Sequence, residues 1–199
     1  MRTRLFLIVS LILAGIGTLT AQTESSQEDI NRIYWSDWYR LEWTDFEAEP
    51  QDQATVAALS SIGLPYKYVT DGEGELNFSI NVCFIKNESW SKEDQRNNLL
   101  LQHEQIHFDI AELHRRKIVK EVLEANFTKN NYKEKLAEII DRIWRKEYKE
   151  MQGRYDKETN YSKVIKQQIN WNKFVHQQLR NHEDFTFTEV SVSLINFED

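Results

Sequence analysis

Cysteine is nearly missing from these 199 residues: Cys83 stands alone, so no disulfide can close within the chain. Two prolines and six glycines provide little punctuation, which argues against a many-stranded sandwich and for long helices. Basic residues are outnumbered, Lys+Arg 25 against Asp+Glu 32, for a net charge of −7. That deficit argues against nucleic acid as a partner, because such binding needs a basic face that neutralises phosphates. What remains is ordinary globular material, 40% hydrophobic and 29% charged, sufficient for one packed domain.

The one long apolar run lies at the start. Arg2 and Arg4 precede Leu5 to Leu19, and Thr20 and Ala21 offer a small-residue exit before a polar stretch. This is the layout of a cleavable secretory signal over residues 1–21, too short and wrongly flanked for a settled membrane span. The expected location is therefore extracytoplasmic, secreted or periplasmic, with no membrane span after cleavage. Residues 22–33 read as a flexible lead into a single domain over 34–199. Cys83, inside an apolar strand pattern, reads as a buried small hydrophobe.

Two periodicities divide that domain. Residues 34–90 read as strands and turns, with a clear alternation at Leu76, Phe78, Ile80, Val82 and Phe84. Asp71-Gly72-Glu73-Gly74 is a turn signal, so a β-hairpin is expected at about 64–86. Residues 91–182 have helical spacing, entered through a capping-box pattern at Ser91 to Asp94. Leu136, Ile139, Ile140, Ile143, Trp144, Met151 and Tyr155 mark a second helix, and Val164, Gln168, Trp171, Val175 and Leu179 a third. Residues 185–197 are β-like again and would add an edge strand. The expectation is an α+β fold, a small N-terminal antiparallel sheet followed by three long helices.

Chemistry concentrates in the first helix, at His103-Glu104-Gln105-Ile106-His107, a match to H-E-x-x-H. Residues i and i+4 lie about 40° apart around a helix axis, so both imidazoles leave one face and can grip one metal ion, Zn²⁺ above all. Glu104 is offset so as to act as general base on an activated water rather than as a ligand. A third ligand is harder to place. His114 is roughly 10 Å further along the helix than His107, out of reach while the helix is straight. Asp109 points to the far side and reads as an anchor for a neighbouring element. Glu147 and Glu150 on the second helix are candidates, while His176 and His182 read as surface or packing residues.

These residues carry a resemblance. Trp43-Thr44-Asp45-Phe46, Ser89-Trp90, His103 through Asp109, and Tyr155-Asp156-Lys157-Glu158-Thr159 are similar to motifs of the predicted secreted zinc-dependent proteases of bacteria, domain of unknown function 922. The resemblance implies a zincin-like fold with the H-E-x-x-H on the first helix, and a zinc metallopeptidase acting on protein or peptide substrates. The family pattern places a His two residues after its Tyr-Asp-x-x-Thr; this chain has Tyr161 there. Tyr161 is thereby the implied third zinc ligand, as a phenolate; a donor to an oxyanion and plain packing stay open for it. The competing reading is a degenerate zincin-like member that acts as a binding module in the cell envelope.

Overall fold

A computed structural model describes residues 30–51 and 53–195 of the chain; the expected signal at 1–21, the stretch 22–29 and the last four residues lie outside them. The compact unit begins at Arg32, inside the segment read as a flexible lead, because β1 (Arg32–Tyr34) pairs with β6 (Cys83–Ile85). The class is α+β. Among the described residues, however, the strands form three small sheets rather than one N-terminal sheet. β1, β6 and β3 (Ile62–Gly63) make an antiparallel trio, and β2 (Ala58–Leu59) pairs with β7 (Trp90–Ser91). The largest sheet has the order β4 (Tyr66–Thr70), β5 (Glu75–Ile80), β9 (Glu189–Ile195), β8 (Phe127–Thr128).

The hairpin forms at β4–β5, where Asp71 Oδ1 accepts the N–H groups of Glu73, Gly74 and Glu75 and fixes the turn. The alternating run does not continue as one strand. At Asn81 the chain leaves β5: Asn81 N–H donates to Pro65 O, while Val82 O accepts from Trp35 N in the neighbouring sheet. Leu76, Phe78 and Ile80 then fill one core cluster, Val82 and Phe84 another. Period 2 reports which side chains are buried and is blind to which strand the backbone pairs with. For the same reason β9 is no edge: it lies between β5 and the parallel β8.

Three long helical segments complete the fold of the described residues. α1 (Asn98–Glu124) begins seven residues later than its expected start at Ser91. Ser91 is taken up in β7, and its Oγ accepts from Arg96 Nε. The cap is Asn97, whose Oδ1 accepts from Leu100 N at 3.0 Å. α2 spans 132–159, helical over Tyr132–Ile140 and Lys149–Thr159 with a π-helical stretch, Asp141–Tyr148, between them. α3 is Ile165–Asn181. α1 is the central element, facing β5 and α2 with Ile118, Val119 and Val122, α3 with Ile106, Ile110 and Leu113, and Phe84 with Phe108 and Ala111. A helix buried over most of its middle turns must find partners for nearly all the polar groups it carries there. Among the described residues, no helix is long and apolar enough to cross a membrane.

Candidate metal centre

His103 and His107 leave one face of α1, as their spacing requires, and meet Asp156 from α2. The three donor atoms converge: His103 Nε2 is 3.1 Å and His107 Nε2 3.0 Å from Asp156 Oδ1, and the two Nε2 atoms are 3.1 Å apart. The buried Tyr155 backs them, its ring stacked on His103 at 4.4 Å and edge-on to His107 at 4.9 Å.

Two glutamines decide what those nitrogens present. Gln152 Nε2 donates to the backbone O of His107 at 3.0 Å, so its Oε1 is left to accept from His107 Nδ1. Tyr155 OH donates to His103 O and accepts from Gln168 Nε2, so Gln168 Oε1 accepts from His103 Nδ1 at 3.0 Å. Both series of hydrogen bonds end on a carbonyl, which only accepts. Each neutral imidazole therefore carries its proton on Nδ1 and turns a bare Nε2 lone pair toward the other and toward a carboxylate oxygen.

Three lone pairs about 3 Å apart repel unless a cation lies among them. A proton on His107 is one answer. Burial opposes charge there, but the Asp156 hydrogen bond and the Glu104 and Asp156 carboxylates outweigh it and raise the His107 pKa. The same proton acts on Asp156: burial works against its charge, but hydrogen bonds from imidazoles protonated at Nε2 would hold its carboxyl well below the usual carboxylate range. A divalent ion is the fuller answer, since it satisfies all three donors. A triangle of this size fits donors at roughly 2.0–2.2 Å from one ion, with its open side available to a further ligand. The donor set fits a metal.

Glu104 stands beside this triad, 3% exposed, and its Oε2 accepts from Ser60 Oγ at 2.7 Å. Both face a cavity of about 410 Å³ walled by residues 55–60, the triad, Tyr148, Lys149, Gln152, Tyr161 and Lys163. The π-helical stretch ends at Tyr148, whose ring lies flat on Trp144 at 4.0 Å. Burial pushes the Tyr148 phenol up to about 12, against the pull of Gln152, so it stays protonated at neutral pH.

The other sequence candidates are placed as follows. Tyr161 lines the cavity, 46% exposed, while the donor that joins the two imidazoles is Asp156. Glu147 pairs with Arg142 and Lys117, and Glu150 is exposed outside the cavity wall. Asp109 accepts from Trp35 Nε1 and Gln105 Nε2, tying α1 to the N-terminal segment, and faces the half-exposed His176. His182 Nδ1 bonds Gln178 O, and His114 lies in the core. Asp156, Gln152 and Gln168 escaped the sequence reading as site residues. Only Asp156 left a trace, inside the Tyr-Asp-x-x-Thr run.

A family model described as "Bacterial protein of unknown function (DUF922)" matches residues 86–163. The match covers β7, α1, α2 and the turn after it, and so includes the triad, Glu104, Gln152 and Tyr161, but not Gln168. No curated protein and no solved structure matches this sequence.

Proposed function

We propose that this protein is a zinc-dependent peptidase with a zincin-like site, acting outside the cytoplasm. The observation that carries the reading is the triad of unshared lone pairs beside a buried glutamate in an open cavity. Two imidazoles and a carboxylate suit Zn²⁺, which would supply a Lewis acid to polarise the scissile carbonyl and activate a water. Glu104 takes the proton from that water and delivers it to the leaving amine, with the Ser60 hydroxyl holding its carboxylate in place. The phenols of Tyr148 and Tyr161 are the donors on the wall for the developing oxyanion.

Substrate backbone has a place to pair. Lys92 N donates to Ala57 O at 2.8 Å, and the register sets Ala58 opposite Ser91 and Leu59 opposite Trp90. By antiparallel alternation the N–H and C=O of Ala58 then point away from β7. That edge has no strand partner among the described residues, and residues 55–60 wall the cavity. An extended peptide can add there by β-augmentation. The binding-module alternative drew its support from a missing third ligand; the Asp156 carboxylate offers one, which favours the enzyme.

Zinc content and hydrolysis of an unfolded protein test this together. The wild type is expected to hold one zinc and cleave; His103→Ala and Asp156→Asn lose the zinc. Glu104→Gln keeps it and loses at least about two orders of magnitude in rate. A wild type without stoichiometric zinc, or Glu104→Gln at full rate, overturns the proposal.

A further inference from the structure

Two lysines stand on the cavity wall of this acidic protein. Lys149 shares one stripe of α2 with Gln152 and Asp156, at the i, i+3, i+7 spacing of a single face. The three arginines of α2 are neutralised on the surface: Arg142 by Glu121 and Glu147, Arg145 by Asp141, Arg154 by Glu158. Neither Lys149 nor Lys163 enters an ion pair or hydrogen bond through its ammonium among the described residues.

The route by which Lys163 reaches the wall is costly. Asn160, Tyr161 and Ser162 have φ of 46°, 51° and 70°, three consecutive non-glycine residues in the left-handed region. Such a run is disfavoured at each step and persists only where the surroundings impose it. Here Tyr161 N donates to Asp156 O at 3.0 Å, Val164 N to Thr159 O at 2.8 Å and Lys163 N to Asn160 O at 3.2 Å. Continued as helix, the backbone would carry Lys163 roughly 10 Å beyond Asp156 along the axis. The left-handed turn instead folds it back onto the cavity that Asp156 faces.

Resting on the peptidase reading, we infer that Lys149 and Lys163 are specificity-determining residues that select substrates carrying a carboxylate close to the cleaved bond. The charge count supports it. A divalent ion offsets Asp156 and Glu104, which leaves two uncompensated ammonium groups over a cavity in a protein of net charge −7. An acidic residue and the free C-terminus of a peptide both offer the carboxylate.

Binding is measured on the zinc-loaded Glu104→Gln protein, which holds peptides uncut, with four versions of one peptide. These are neutral and capped, capped with an internal Glu, neutral with a free C-terminus, and capped with an internal Lys. The wild type is assayed for cleavage of the same four. We expect the internal-Glu or the free-C-terminus peptide to bind at least about tenfold tighter than the neutral one, the tighter of the two identifying the source. Adding Lys149→Glu and Lys163→Glu reverses that ratio; both lysines are exposed, so circular dichroism and zinc content should match the parent. Cleavage with equal binding of neutral and acidic peptides, or a preference that survives both substitutions, overturns this inference alone. No binding and no cleavage of any peptide overturns the peptidase reading and the inference with it.

Discussion

α1 carries polar groups into the interior twice, with opposite outcomes. In its second half Glu112, Arg115 and Arg116 are all buried, and guanidinium donors meet carboxylate and carbonyl acceptors. Glu112 takes Arg115 Nε and Nη2 at 2.7 Å and Arg116 Nε at 2.8 Å. Arg115 Nη1 and Nη2 also reach the carbonyls of Phe187 and Thr186, and Arg116 Nη1 that of Leu179, which pins the segment before β9 and the end of α3 to this helix. In its first half, His103 and His107 meet Asp156 with acceptors facing acceptors. Burial and charge are common to both clusters. What separates a structural cluster from a candidate site is whether the protein's own groups complete it.

The largest effect tests the closed cluster. Glu112→Ala leaves two buried guanidinium groups without their carboxylate and should lower unfolding free energy by about 3–5 kcal/mol, read by urea denaturation. A loss below about 1 kcal/mol would mean that the cluster is not the structural half of the pair.

His114 sharpens the contrast from within the same half. It is fully buried, its Nδ1 donates to Ile110 O at 2.7 Å, and its Nε2 has no partner. Around it stand Tyr148, edge-on at 5.7 Å, and the charges of Lys117, Glu147 and His182. Burial above all pushes its pKa down to about 4. The folded value lies below the unfolded one, so this contribution is complete above the unfolded value of about 6.5 and is lost as pH falls toward 4. The loss is on the order of 3 kcal/mol. His114→Leu should flatten it, compared with wild type in chelator across pH 7 to 4; parallel curves for the two would refute the assignment. This orphan nitrogen has no second donor atom converging on it, so it titrates without forming a site.

The smallest effect tests the open cluster. Gln152→Ala removes the acceptor that keeps the His107 proton on Nδ1 and should weaken zinc roughly 10- to 100-fold by chelator competition, with little change in unfolding free energy. Unchanged affinity would mean that the glutamine does not set the tautomer.

Local rules made much of this molecule legible. The i,i+4 histidines share a helix face because 3.6 residues make a turn, whatever else the molecule does. The Asp71–Gly74 turn, the apolar stripes of α2 and α3 and the buried Cys83 are legible for the same reason, since each depends on neighbours in sequence. Choices between nearby alternatives were less secure. Asn97 rather than Ser91 caps α1 because a strand partner, β2, claims Ser91 first.

Tertiary structure decided the rest. Asp156 completes the triad across 49 residues from His107, and Gln168 orients His103 across 65, separations that no local period reports. Tyr161 was singled out by its place in a motif, and only the three-dimensional turn set it on the cavity wall with Asp156 among the converging donors. The division follows from the forces. Backbone hydrogen bonding and apolar periodicity act within a few residues, so the sequence by itself determined the helices and the face carrying His103, Glu104 and His107. The third donor and the tautomers depend on which residues are packed against that face. That was settled only when α2 and α3 closed on α1.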